Sequence, residues 1–561
     1  MTGREAVFYS WEMDMAEQGS LIANVVQVEA RRIVLAEIQW HRGIIERIVE
    51  LGGESEQHTY LIPGFVDAHV HIESSMLTPA EFARMACRHG TVAAISDPHE
   101  IANVLGVEGV RFMVDNAALS PMPILFGAPS CVPATPFETS GAEVGSEELA
   151  FLFENGLVGY LSEVMNYPAV IDGDAGVLAK LDLAKRLGVP IDGHAPGLVG
   201  DALDRYASAG ISTDHECSTL EEARAKLAAG MQILIREGSA ARNFDALHAL
   251  IDECPERVMF CSDDKHPDDL AAGHIDVLAA RAVALGHSVF DVLRCACVNP
   301  VEHYRLPIGR LRIGDRMDAV EVTDLATFEP LRTWIAGRLV AERGKSLLPR
   351  VESAVVNRFD ARTIMPDDLA VDTRDDAMRV IRAVDGELVT YERLCRPTVE
   401  NGRILPDIES DILLLTVVNR YRPSKPAVAF IEGFGLHRGA LASSVAHDSH
   451  NIIAVGCDAV AVSAAVNAII DLKGGIAVSD GENIEALPLP IAGLMSGEEG
   501  DRVAARYAEL DALAKRLGSP LRAPFMTLSF MALLVIPELK LSDRGLFDGR
   551  TFRFTSLTVS T

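Results

Sequence analysis

No Cys-x-x-Cys pair occurs anywhere in the chain, and only nine cysteines are spread over its 561 residues. So sparse and odd a set excludes a disulfide framework and fits a reducing, cytoplasmic compartment. Cys295-Ala-Cys297 lies in the apolar run VLRCACV and reads as two small core residues of a helix rather than a metal clip. Basic residues are also scarce. The 51 Lys and Arg face 80 Asp and Glu, a formal net charge of −29. Such a surface repels nucleic acid and anionic membrane, and its plain consequence is solubility. No run approaches the roughly 18 apolar residues of a membrane span. Residues 1–20 carry acidic side chains and no long apolar region, so no secretory leader is expected. Internal repeats and low-complexity tracts are absent as well.

What is present is a large apolar content, 48% of a chain longer than one ordinary domain. Residues 21–51 read as three short strands (LIANVVQVEA, RRIVLAEIQW, RGIIERIVEL). The middle then alternates strand and helix. Strand candidates are LIPGFVDAHVH, GTVAAISD, MPILFGAPS, LVGYLSEVMN, PIDGHAPG, ISTDHECS, MQILIREGSA and RVMFCSDD. Helical patterns such as VLAKLDLAKRLG, LEEARAKLAAG and FDALHALIDECP lie between them, several ending in Gly. Eight such units predict an α/β fold built on a parallel (β/α)8 TIM-type barrel. An open doubly wound sheet would show a Gly-rich phosphate turn after its first strand, and none follows. Short strands return near residue 305. The expected division is a small flanking β-sandwich domain from 1–62 plus 305–348, a barrel over 63–304, and a C-terminal α+β domain over 349–561.

Two histidines one residue apart, His69 and His71, interrupt the first barrel strand. Residues i and i+2 share a strand face, so both point into the barrel near the mouth where such folds do chemistry. One histidine alone is more often a satisfied core residue; the pair favours a shared metal ion. Other strand ends carry Glu163, His194, His215, Asp263 and Asp264. Each is costly to bury without a partner. A binuclear divalent centre would partner them all, with Glu163 as the bridging carboxylate. Nitrogen and oxygen ligands suit zinc, manganese and iron alike.

This pattern resembles the amidohydrolase superfamily, with Glu163 where many members have a carboxylated lysine. The segments PGFVDAHVHIESSMLTP, SDPHEIANVLG, DGHAPGL, DHECST, IREGSAARN, CSDDKHPDDL, HRGALASSVAHDSHNI and LPLPIAGLMS are similar to those of the bacterial adenine deaminase family. The resemblance spans about residue 60 to about 500. It implies hydrolytic deamination of a purine base, adenine to hypoxanthine, in purine salvage or catabolism. It also implies a preference for Mn2+ or Fe2+ over Zn2+, and a homodimer. It makes His69, His71, Glu163, His194, His215 and Asp263 the metal ligands, with Asp263 also the proton shuttle and Asp264 the alternative at that position. Asp97, His99 and Glu100 read locally as a helix start, and the resemblance places them at the active site, for proton transfer or substrate contact. Arg236, Glu237 and Ser239 are candidates for the purine ring edge, with an internal salt bridge the alternative for Arg236 and Glu237. His447-Asp448-Ser449-His450 reads as a turn with a structural or mouth-covering role, with metal binding the alternative. Two other readings stay open: a cyclic amide hydrolase, and a non-catalytic barrel assembly protein. The zinc nucleoside deaminases need Pro-Cys-x-x-Cys, which is absent.

Overall fold

The computed structural model of the chain describes residues 18–372 and 377–559. The reading of the first 20 residues therefore lies, for residues 1–17, outside the described residues. Strands β1 (Gln18–Gln27), β2 (Arg32–His41), β3 (Ile44–Gly53) and β4 (Tyr60–Pro63) open the chain. They join β13 (Ala319–Val322), β14 (Pro330–Ile335), β15 (Arg338–Glu342) and β16 (Lys345–Ser346) in one eight-stranded sheet. That sheet folds over on itself to form the small sandwich. Ile45 N bonds Asp315 O at 2.9 Å and Met317 N bonds Gly43 O at 2.8 Å. Trp40, Trp334, Val25 and Ile38 fill the space between the layers.

Between these halves runs the barrel. Its strands are β5 (Phe65–Val70), β6 (Thr91–Ser96), β7 (Ile124–Ala128), β8 (Tyr160–Val164), β9 (Ile191–Gly193), β10 (Thr213–Asp214), β11 (Gln232–Arg236) and β12 (Val258–Cys261). All pair in parallel, and their residues are buried on both faces apart from Gln232. Near-continuous apolar runs are what such strands require. Val70 bridges Asp263, and Ser212 N bonds Ile191 O at 2.8 Å, which closes the ring at its two seams. The crossover helices carry the expected punctuation. Asp174 caps Ala175–Leu187 by accepting from Gly176 N and Val177 N, and Gly188 ends it at φ +64°. FDALHALIDECP differs from the expectation of one helix. It tightens where Ile251 N bonds His248 O, an i→i+3 bond, and divides into Phe244–Leu247 and Leu250–Glu253.

The C-terminal region forms a nine-stranded mixed sheet centred on Leu413–Val418 and Ile452–Gly456, with the helix Ala459–Leu472 against it. A second long helix, Gly500–Arg516, packs on the barrel side. Ser496 N bonds Met76 O at 2.8 Å, Gly500 N bonds Glu81 at 2.9 Å and Thr139 N bonds Asp543 at 2.9 Å. These contacts seat the region over the carboxyl ends of the barrel strands. No described helix is long and apolar enough to cross a membrane.

Candidate metal centre

Strand alternation aims His69 inward at the end of β5, and His71 follows one residue past it. Their Nε2 atoms lie 3.2 Å apart. His194 and His215 sit one residue beyond the short strands β9 and β10. Glu163, in β8, lies at the centre. Its Oε2 is 3.5 Å from His69 Nε2, 3.3 Å from His194 Nδ1 and 3.1 Å from His215 Nε2. Its Oε1 is 3.9 Å from His71 Nε2 and 3.7 Å from His99 Nδ1. Burial would push this carboxyl up, but His194 and His215 hold it well below the usual range.

Asp263 follows β12 in the left-handed region at φ +54°, which aspartate tolerates better than most residues. Asp263 N bonds His69 O at 2.9 Å and His71 N bonds Asp263 O at 3.2 Å, so the two strand ends fix that conformation. Its Oδ1 lies 3.6 Å from His69 Nε2 and 3.3 Å from His71 Nε2, while Arg236 donates to Oδ2 at 2.6 Å. Burial opposes ionisation here too, and Arg236 with His69 and His71 overcomes it, leaving the carboxyl well below the usual range. Asp264 takes a bond from Ser74 Oγ at 2.5 Å instead.

These donors fit divalent cations. His69, His71 and Asp263 form one cluster of possible ligand atoms, His69, Glu163 and His215 a second, and His194, His215 and Glu216 a third. Within each, the atoms lie inside 4.8 Å of one another. Ring nitrogens and carboxylate oxygens from separate strands all aim at one buried point. Lone pairs facing lone pairs in a dry interior are costly unless protons or cations stand between them.

Asp97 Oδ1 accepts His99 N at 3.0 Å, and its Oδ2 lies 3.0 Å from His99 Nδ1. Glu100 follows, 3.3 Å from His99 Nε2. All three are buried at the mouth. The partners of Glu100 from the C-terminal region are His447, whose Nδ1 meets its Oε1, and His450, whose Nε2 meets its Oε2. The turn 447–450 does reach the barrel opening.

The ring-edge candidates separate. Arg236 lines the pocket, yet its guanidinium grips Glu216 with both terminal nitrogens as well as Asp263. An internal salt bridge does hold it, with Glu216 as the partner rather than Glu237. Glu237 is corrected: one residue on, alternation turns it outward to Arg281 at 3.2 Å. Ser239 is corrected too. Its hydroxyl donates to Asp269 at 2.6 Å and accepts His266 N at 2.8 Å, so it ties down the loop beside the pocket and is not itself one of the lining residues. Glu216, Asp448, Met165, Ala241, Leu388, Phe530 and Leu533 also line the pocket and were not among the expected site residues. Two of them had a signal: Glu216 as an acid beside His215 at a strand end, and Asp448 as an acid beside His447.

Lys226 braces the loops that carry His194 and His215. Its fully buried Nζ donates to Ala195 O at 2.6 Å, Asp214 at 2.9 Å and Glu222 at 2.8 Å. Lys226→Met leaves the buried Asp214 with its backbone donors but without its lysine counter-charge, so a loss of about 3–5 kcal/mol is expected in denaturant unfolding. An unchanged midpoint would show the network to be idle.

The model of the amidohydrolase family matches residues 60–340, and that of the adenine deaminase C-terminal domain residues 387–553. An adenine deaminase of Salinibacter ruber is 56% identical over 542 residues, 96% of this chain and 99% of its own. One from Methanosarcina acetivorans is 50% identical over 544 residues, covering 95% and 98%. One from Borreliella burgdorferi is 44% identical over 544 residues, also covering 95% and 98%. The barrel and its converging donors define an amidohydrolase, a class that generally uses a divalent metal. Within that class, the chain belongs to the adenine deaminase family.

Proposed function

We propose that this chain hydrolyses adenine to hypoxanthine and ammonia. The observation that carries the reading is Glu163, whose two carboxylate oxygens face histidines from both sides of the barrel mouth beneath a C-terminal cover. His69, His71, Glu163, His194, His215 and Asp263 would hold a pair of divalent cations, with Mn2+ or Fe2+ preferred. When bound, such ions supply Lewis acidity and lower the pKa of water from 15.7 toward about 7.

The chain's own groups do the rest. Deamination needs a proton taken from the attacking water and one delivered to the departing amino nitrogen. Asp263 adjoins the ligand histidines and serves as the shuttle, with Arg236 fixing its orientation from the other oxygen. His99, held between Asp97 and Glu100, stands beside Glu163 and carries protons on the opposite flank. Met165, Leu388, Phe530 and Leu533 wall the pocket and exclude water from the purine. Glu163 in place of a lysine bridge favours the deaminase over a cyclic amide hydrolase.

A steady-state assay tests this. Adenine should release ammonia in the presence of Mn2+ or Fe2+, activity should vanish on chelation, and either ion should restore it. Turnover of dihydroorotate or hydantoin without turnover of adenine would reverse the assignment. The expected homodimer is read independently by light scattering.

A further inference from the structure

Two polar atoms on the pocket wall come from the C-terminal region and have no hydrogen-bond partner among the described residues: His447 Nε2 and Asp448 Oδ2. The second has the sharper consequence. Asp448 is 2% exposed, and its other oxygen lies 3.9 Å from His99 Nε2. A buried carboxylate oxygen without a donor costs on the order of 1–3 kcal/mol, so this one awaits a donor from outside the chain.

The remaining acids of the pocket are already engaged. Glu163 faces the ligand histidines, Asp263 and Glu216 hold Arg236, Glu100 holds His447 and His450, and Asp264 takes Ser74. Met165, Ala241, Leu388, Phe530 and Leu533 make the apolar part of the wall. Among the buried carboxylates that line the pocket, Asp448 alone keeps an oxygen with no donor among the described residues. A free purine base always carries one imidazole-ring N–H, at N7 or N9. An N9-substituted purine carries none.

We propose that Asp448 accepts that ring N–H and so makes the site select free bases over nucleosides and other N9-substituted purines. The inference rests on the adenine reading above and adds the group that sets its specificity. A substrate lacking the N–H leaves the carboxylate unpaired, the situation in which a polar pocket rejects an analogue most strongly.

The test compares adenine with 9-methyladenine in the Mn2+-loaded enzyme, and the binding of hypoxanthine with that of 9-methylhypoxanthine by calorimetry. Asp448→Ala and the volume-conserving Asp448→Leu should lose about 10²-fold in kcat/KM for adenine and in affinity for hypoxanthine. Neither 9-methyl compound should change more than a few-fold, so discrimination collapses. Asp448→Asn keeps an acceptor oxygen and should retain most of it. Metal content and circular dichroism identify any variant that fails to fold. Discrimination that persists in folded Ala and Leu variants, or an equal loss for both members of each pair, overturns the proposal. Wild-type enzyme inert toward adenine would instead overturn the function proposed above.

Discussion

Glu163→Gln lowers turnover of adenine by at least about 10³-fold, the largest single effect expected in this protein. The substitution keeps side-chain volume in β8 and removes one charge. The lost charge is the one that faces His69, His194 and His215 with one oxygen and His71 and His99 with the other. A glutamine would present an amide N–H to ring nitrogens that need an acceptor or a cation. Binding of one or both ions should weaken in parallel, seen as fewer metal equivalents per chain by mass spectrometry. The fold should survive, because glutamine keeps the volume and an acceptor oxygen at this position, but the loss of one charged partner from a buried set costs some stability. Full activity in this variant would remove the bridging assignment.

Glu100→Gln should reduce kcat by about 10²–10⁴-fold while leaving metal content intact, which separates it from the first variant. Glu100 belongs to the helix His99–Leu105 that begins just after β6. Burial would raise its carboxyl, but His447, His450 and His99 hold it well below the usual range. One side chain therefore anchors the C-terminal cover and partners His99. Its neutral isostere loses the charged partner of both imidazoles, and the turn 447–450 loses its anchor at the mouth. Metal analysis and kinetics on one preparation check this. Normal kcat would assign Glu100 to packing alone.

Much of this arrangement follows from local pattern. The run FVDAHVH shows a strand with an i, i+2 histidine pair, and period 2 places both on one face. Glu163, His194, His215 and Asp263 stand out because each is a costly group ending or following an apolar run. Arg236 and Glu237 show where the same rule went unused: adjacent strand residues point oppositely, so one of the pair had to leave the pocket. Ser239 lies in a loop, where no period applies. The bonds from His447 and His450 to Glu100 span 347 and 350 positions, and nothing in local periodicity encodes a pairing that distant. Sequence similarity pointed to the segment, and only the folded chain shows which acid it meets. Asp448 is a further case. Its adjacency to His447 was visible in the sequence, but its unpartnered oxygen is a property of packing.

The central claim is that side chains from five barrel strands and their loops hold a pair of cations at one buried point. Diffraction at the manganese absorption edge, on crystals grown with excess Mn2+, measures that directly. Two anomalous peaks about 3.5–4 Å apart with Glu163 between them is the expected result. Anomalous density absent from this mouth, or a single ion held without Glu163, would contradict it.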